Sequence, residues 1–244
     1  MRQHIPNTLT VSNLFCGVLA ILAVLQGDWL LTTILVVVSL LADFLDGFVA
    51  RRLGVSSPMG KELDSMADMV SFGVVPGLIM AWMGGLENLL PLSEATFLPM
   101  PGENLLAIGA ALLIPVFSAV RLAKFNLDTR QSQYFIGVPT PANTMLVLSL
   151  WVIHERHPDL WLSQGLDSPW LIAALSVACS LLLVAELPLL ALKFKNFSWA
   201  HNRYRYLLIL GSAALLLFLR AMAVPLIFGL YLGLSWLGRK EVGE

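Results

Sequence analysis

Apolar residues in this chain come in long unbroken runs. They neither alternate, as on a half-buried strand, nor form the narrow stripe of a soluble amphipathic helix. A run of about 17–25 such residues crosses a hydrocarbon core of about 30 Å as a helix. On that rule the pattern predicts spans over residues 9–25, 29–46, 63–82, 105–125, 139–153, 170–192, 206–219 and 221–237. The second continues as helix past Arg51, and a minimal turn at Arg220 joins the last two. The first run leads through Gln26-Gly27-Asp28 straight into the second, which reads as a span and not as a cleaved leader. The predicted fold class is therefore all-α, a polytopic membrane helical bundle of about eight transmembrane helices. Trp29, Trp82, Trp161, Trp170, Trp199 and Trp236 fall near span ends, where amphipathic rings anchor at the membrane interface.

Charge orders these spans. Cytoplasmic segments carry the Lys and Arg excess. With the N-terminus inside, Arg2, Arg51, Arg52, Lys61, Arg121, Lys124, Arg130, Lys193, Lys195, Arg203, Arg205, Arg239 and Lys240 all fall on the cytoplasmic side, thirteen of the fifteen cations. Only Arg156 and Arg220 fall outside it, and the outer loop 84–103 has no cation but carries Glu87, Glu94 and Glu103. Both termini are expected inside, in the inner (cytoplasmic) membrane. Composition agrees: 57% of the 244 residues are hydrophobic and 13% charged, against about 45–50% and 25% in soluble domains. The net charge of −1 gives no overall basic field for nucleic acid. Cys16 and Cys179 lie within apolar runs and read as small buried hydrophobes.

Against this background four aspartates stand out at the cytoplasmic ends of the second and third spans: Asp43, Asp46, Asp64 and Asp68. Each charge at membrane depth costs about 2.5–3.5 kcal/mol, so four unpaired ones would cost on the order of 10 kcal/mol. Asp43 and Asp46 are i, i+3 and Asp64 and Asp68 are i, i+4, so each pair shares a helix face. The link between the helices is short, which predicts antiparallel neighbours whose acidic faces meet in one pocket. An all-oxygen ligand set favours Mg²⁺, Mn²⁺ or Ca²⁺. The plainer reading pairs the aspartates with Arg51, Arg52 and Lys61. Gly47 and Gly60 are placed where backbone or ligand could approach closely, and Arg51, a turn and a half beyond Asp46, suits a phosphate.

This spacing resembles the signature of the CDP-alcohol phosphotransferase family, D-x2-D-G-x2-A-R-x8-G-x3-D-x3-D. Asp43, Asp46, Gly47, Ala50, Arg51, Gly60, Asp64 and Asp68 match its eight fixed positions. The segment from Ile5 to Thr10 with Asn13 and Gly17, the segment from Gly60 to Gly73, and the run Arg121-Leu122-Ala123-Lys124-Phe125-Asn126 followed by Gly137 to Pro141 are similar to the bacterial membrane-embedded branch that uses L-serine. Lys124, where that branch has arginine, and Pro58-Met59, where it more often has an acidic-Phe pair, depart from it. The likeness is strongest over 5–145, the expected catalytic part of a single membrane domain spanning 1–244. Residues 169–244 supply the C-terminal spans.

The resemblance implies a six-helix catalytic core and transfer of the phosphatidyl group of CDP-diacylglycerol to an alcohol, here L-serine, with release of CMP. It implies two divalent ions, Mg²⁺ or Mn²⁺, held by Asp43, Asp46, Asp64 and Asp68, with Asp68 also the general base. Asn7, Thr10, Gly47, Arg51, Ser57 and Gly60 would bind CDP-diacylglycerol, with Ser56 one loop position from Ser57. Taken alone, Asn7 and Thr10 also read as helix-capping residues. Arg121, Lys124 and Asn126 are the acceptor-site candidates; Arg121 and Lys124 equally satisfy the positive-inside pattern or bind lipid phosphate. A homodimer in membrane lipid is implied by the family alone. The alternatives are another acceptor, glycerol 3-phosphate or inositol phosphate, and a cation transporter using the aspartates as its ion site.

Overall fold

The structure, a computed structural model, describes residues 4–55, 57–89, 101–127, 135–190 and 199–238. Ser56, most of the loop 84–103, and the cations Arg2, Arg130, Lys193, Lys195, Arg239 and Lys240 lie outside the described residues. The protein is an all-α bundle, and each of the eight apolar runs contains a helix. The helices are α1 (His4–Leu25), α2 (Trp29–Leu53), α3 (Pro58–Met83), α4 (Gly102–Leu127), α5 (Thr140–Arg156), the short α6 (Trp161–Leu166), α7 (Pro169–Val184), α8 (Trp199–Leu219) and α9 (Ala223–Leu237). The first four are long and apolar enough to cross a membrane. With 16 and 15 residues, α7 and α9 span only about 22–24 Å at 1.5 Å per residue.

Local chemistry sets the boundaries. Gly27 takes a left-handed φ of 68° after α1, and the Asp28 side chain then caps α2 by accepting from the Leu31 N–H at 2.9 Å. Gly54, φ 61°, closes α2 with its N–H on the Ala50 and Arg51 carbonyls. Three residues later the Ser57 hydroxyl accepts from the Gly60 N–H at 3.0 Å, and Pro58 starts α3. A Gly stop and a Ser-Pro start so close together turn the chain sharply between two membrane helices.

Prolines shape the interiors of α3 and α4. Pro76 has no N–H for the Phe72 carbonyl four residues back. The helix there loosens into a π turn over Met69–Val74, in which the Val75 N–H reaches the Val70 carbonyl. The Thr144 hydroxyl of α5 donates to the Phe72 carbonyl at 3.1 Å. Pro115 likewise leaves the Ala111 carbonyl without its partner, and α4 is interrupted at Leu112. Gly77 of α3 packs against that interruption; a Cβ on it would come within 2.6 Å of Pro115 Cδ.

The sixth run ends earlier than its apolar content predicts. Helix α7 stops at Val184, and Pro188–Leu189 pairs antiparallel with Phe135–Ile136 in a two-residue ladder. Pro188 biases the residue before it toward extended backbone, which favours this ending. The predicted turn at Arg220 is present, as one 3-10 turn with φ 51° at Arg220.

Packing departs from expectation at one point. Helix α1 lies along α2 and also against α3, whereas α2 and α3 do not pack along each other. The acidic helices are thus held chiefly by a third helix, and meet each other at their aspartate ends. Helix α5 packs on α2, α3 and α9, and α7 packs on α4. The apolar core is built from Ala20 and Val24 of α1, Val36 of α2, Ile79 and Met80 of α3 and Trp151 of α5. On α1 and α3 these residues lie in the halves remote from the aspartates. Phe15, Leu41, Phe44 and Leu217 are exposed on the outer surface, as lipid-facing side chains are.

Candidate active site

Three elements converge where α1 begins, α2 ends and α3 begins. Asp43, Asp64 and Asp68 each bring a carboxylate oxygen within 4.8 Å of the other two. At that separation two unit charges repel by about 3–4 kcal/mol at an effective dielectric near 20. The plainer reading, in which Arg51, Arg52 and Lys61 pair with the aspartates, is met only in part: Arg51 lies within electrostatic reach of Asp46. Among the described residues no ion pair joins them to Arg51, Arg52 or Lys61. Lys61 instead donates to the Asn126 carbonyl at 2.9 Å, on the last turn of α4, where a cation complements the helix dipole. Asp64 Oδ1 is buried and has no hydrogen-bond partner. Three oxygen donors in close reach, one of them orphaned, are what a hard divalent cation requires, so the residues present fit such an ion.

Asp46 lies outside that trio but within electrostatic reach of each of its members. It is 6% exposed, and its Oδ2 accepts from the Thr10 hydroxyl. It lines a cavity of about 210 Å³ together with Asn7, Thr10, Gly47, Ser57, Gly60 and Asp64. Five of the six residues matched to CDP-diacylglycerol binding therefore share one cavity with two of the aspartates. The sixth, Arg51, is exposed beside it; a Cβ on Gly47 would lie 3.2 Å from its guanidinium. Gly60 is hemmed in as well, since a Cβ there would lie 3.0 Å from Ser57 Oγ and 3.2 Å from Asn7 Oδ1.

The aspartates are oriented by residues that the sequence reading gave no role. Asn13, fully buried on α1, donates from Nδ2 to Asp68 Oδ1 at 3.5 Å. Its Oδ1 accepts from the Ser39 hydroxyl of α2, and its backbone carbonyl accepts from the Ser71 hydroxyl of α3 at 3.2 Å. One asparagine thus ties three helices together beside the cluster. The signal was helical spacing. Ser39 lies four residues before Asp43, Asn13 three after Thr10, and Ser71 three after Asp68, each a polar residue on the face its acidic or polar neighbour already marks.

The three acceptor candidates part company. Lys124 is exposed. The Asn126 side chain donates to Ser65 Oγ at 2.8 Å and so links α4 to α3. Arg121 is only 8% exposed, stacks its guanidinium 5.9 Å from the Phe125 ring centre, and lies within electrostatic reach of Asp68 and Tyr231. Its Nε has no partner. Neither do Ser118 Oγ one turn earlier, Thr140 Oγ1, or both side-chain atoms of Asn143 on α5. A buried polar group left unpaired costs about 1–3 kcal/mol, so this group of orphans is a standing expense of the fold.

A polytopic helical bundle with oxygen-donor carboxylates beside a cavity at one end defines a membrane protein with a candidate divalent-cation site, as a metal-dependent enzyme or an ion carrier would have. The comparisons give the class its name. Residues 3–192 match the CDP-alcohol phosphatidyltransferase family, and the chain belongs to that family. It is 32% identical to the CDP-diacylglycerol–serine O-phosphatidyltransferase of Helicobacter pylori over 93% of this chain and 87% of the relative. The Bacillus subtilis enzyme of the same name is 35% identical over 61% of this chain and 75% of its own length. That of Methanocaldococcus jannaschii is 34% identical over 59% and 58%. Membership sets aside the cation-transporter alternative.

Proposed function

We propose that the protein transfers the phosphatidyl group of CDP-diacylglycerol to L-serine, giving phosphatidylserine and CMP. The observation that carries this reading is the junction of the Asp43–Asp64–Asp68 trio with the cavity lined by Asn7, Thr10, Gly47, Ser57 and Gly60. The names of the relatives supply the acceptor.

In this reading the cytidine and diphosphate occupy the cavity. Arg51 beside Gly47 offers the donors of a planar guanidinium to phosphate oxygens. Asp43, Asp46, Asp64 and Asp68 would hold divalent ions, Mg²⁺ or Mn²⁺ and two by family resemblance. When bound, such ions neutralise the diphosphate and the charge that develops on departing CMP. The serine hydroxyl attacks the phosphatidyl phosphorus, the bond from that phosphorus to the CMP oxygen breaks, and the hydroxyl proton passes to an Asp68 carboxylate oxygen. Asn13 holds the other helices around that carboxylate.

The active site faces the cytoplasm in this reading, with both termini inside, because the cations at the aspartate end obey the positive-inside pattern. The bacterial inner membrane and a homodimer are taken from the family. Acceptor profiling tests the function: the purified protein is given CDP-diacylglycerol with L-serine, glycerol 3-phosphate or inositol phosphate, and CMP release is followed. Serine is expected to support the fastest release; faster release with either phosphorylated alcohol refutes the assignment.

A further inference from the structure

We infer that Asn143, together with Arg121, holds the α-amino and α-carboxylate groups of an amino-acid acceptor next to Asp68. The inference rests on the proposed serine transfer and adds to it a second, separately built polar site.

The observations come from two helices that flank one turn. Helices α4 and α5 both pack on the π segment Met69–Val74, which begins one residue after Asp68. On α4, Ser118 lies against Gly73, where a Cβ would be 3.1 Å from Ser118 Cβ, and Arg121 follows one turn on. On α5, Thr144 bonds the Phe72 carbonyl and shares its face with Thr140, while Asn143, three residues after Thr140, is buried beside that face. Helix α9 packs on α5 and carries Tyr231 into electrostatic reach of Arg121. All of Asn143 is buried, yet neither its amide nitrogen nor its oxygen meets a protein partner. Of seven buried unpartnered side-chain atoms among the described residues, five lie on Ser118, Arg121, Thr140 and Asn143.

Buried polar groups are ordinarily satisfied, and an asparagine amide can make up to four hydrogen bonds. A zwitterion fits what is left open. A guanidinium takes a carboxylate, the asparagine oxygen accepts from an ammonium group, and its NH₂ donates to the same carboxylate. The phosphate of a phosphorylated alcohol would set two negative charges against one guanidinium and offer the asparagine oxygen only a neutral hydroxyl donor. The ammonium of an amino acid is a charged and stronger donor, so the pair favours an amino acid over a phosphorylated alcohol, and it leaves the hydroxyl of serine free to face Asp68.

The test compares the wild type with Asn143→Leu and Asn143→Asp in the full-length protein with metal and lipid. The leucine keeps the four-atom branched shape, is larger than asparagine, and removes both orphaned atoms; relief of the unpaired polar groups opposes the overpacking, so its melting temperature is expected to stay near that of the wild type. Its KM for L-serine is expected to rise about 10–100-fold, with KM for CDP-diacylglycerol and the thermal shift on adding CMP changed less than about twofold. Asn143→Asp, which sets a second carboxylate against that of serine, is expected to raise the serine KM further. Ethanolamine, which lacks the carboxylate, and 3-hydroxypropionate, which lacks the ammonium, are expected to inhibit the wild type more weakly than D-serine and to lose this ranking in Asn143→Leu. An unchanged serine KM in folded Asn143→Leu, as when ordered water alone satisfies the amide, overturns the inference. A fall in melting temperature with equal losses for both substrates also overturns it, since that marks a structural tie. A wild type that does not use serine at all refutes the proposed function instead, an outcome visible before any variant is made.

Discussion

Gly17→Ala probes how tightly the candidate site depends on the approach of α1 to α3. A Cβ at residue 17 would overlap the Ser71 hydroxyl oxygen and lie 3.1 Å from both Ser71 Cα and Cβ. Rotating the hydroxyl away relieves the first contact but not the other two, so the helices must part by a few tenths of an ångström or more. Overpacking of this kind costs about 1–3 kcal/mol, and small residues at membrane helix contacts exist to prevent it. At about 2–4 °C per kcal/mol for a chain of this size, the melting temperature should fall by roughly 2–12 °C. The site should suffer as well. Asn13, one turn before Gly17, reaches Asp68 at 3.5 Å and receives the Ser71 hydroxyl at 3.2 Å, so separation of the helices breaks both contacts. Turnover is therefore expected to drop along with stability. The assay is a thermal melt in detergent plus CMP release, run beside Gly109→Ala, where nothing lies within 4 Å of an added Cβ. That control should be neutral or stabilised by up to about 1 kcal/mol. Gly17→Ala/Ser71→Ala removes only the hydroxyl overlap, leaves the Cα and Cβ contacts and loses the bond to the Asn13 carbonyl, so it should regain little of the lost stability. If Gly17→Ala melts and turns over like Gly109→Ala, the close approach of α1 to α3 does not hold the site.

The remaining predictions concern the carboxylates and their surroundings. Chelation with excess EDTA should abolish CMP release, and Mg²⁺ or Mn²⁺ should restore it; full turnover in EDTA counts against metal at the aspartates. Asp68→Asn should lower kcat about 10²–10⁴-fold with nucleotide affinity largely kept, whereas Asp43→Asn should weaken CDP-diacylglycerol binding; equal losses of affinity would leave Asp68 a ligand only. Lys61→Met should cost stability, on the order of 1 kcal/mol, by releasing the Asn126 carbonyl, while leaving the metal requirement unchanged. A shifted metal dependence in that variant would mean that Lys61 acts on the cluster after all.

The sequence by itself determined the class of fold and the place of the chemistry. Runs such as 9–25 and 105–125 have only one stable form in hydrocarbon, a helix that satisfies its own backbone, and the structure has helices there. The spacing of Asp43, Asp46, Asp64 and Asp68 placed acidic faces on two helices, because helical period is a local property. Local reasoning failed where the answer depended on a third element. That α1 packs its polar face on both α2 and α3, so that Asn13 braces Asp68 while Thr10 takes Asp46, follows from packing and not from a short connecting loop. Separating Asp46 from the other three aspartates, Asn126 from Arg121, and Lys61 from the carboxylates also needed tertiary structure, since each is decided by which partner lies within about 3 Å. Asn143 shows the limit most plainly. In sequence it is one of three polar residues at the start of an apolar helix, with Thr140 and Thr144, and nothing there sets it apart from them. Only the packing of α4 and α5 around one π turn shows that both its polar atoms are buried and unmet.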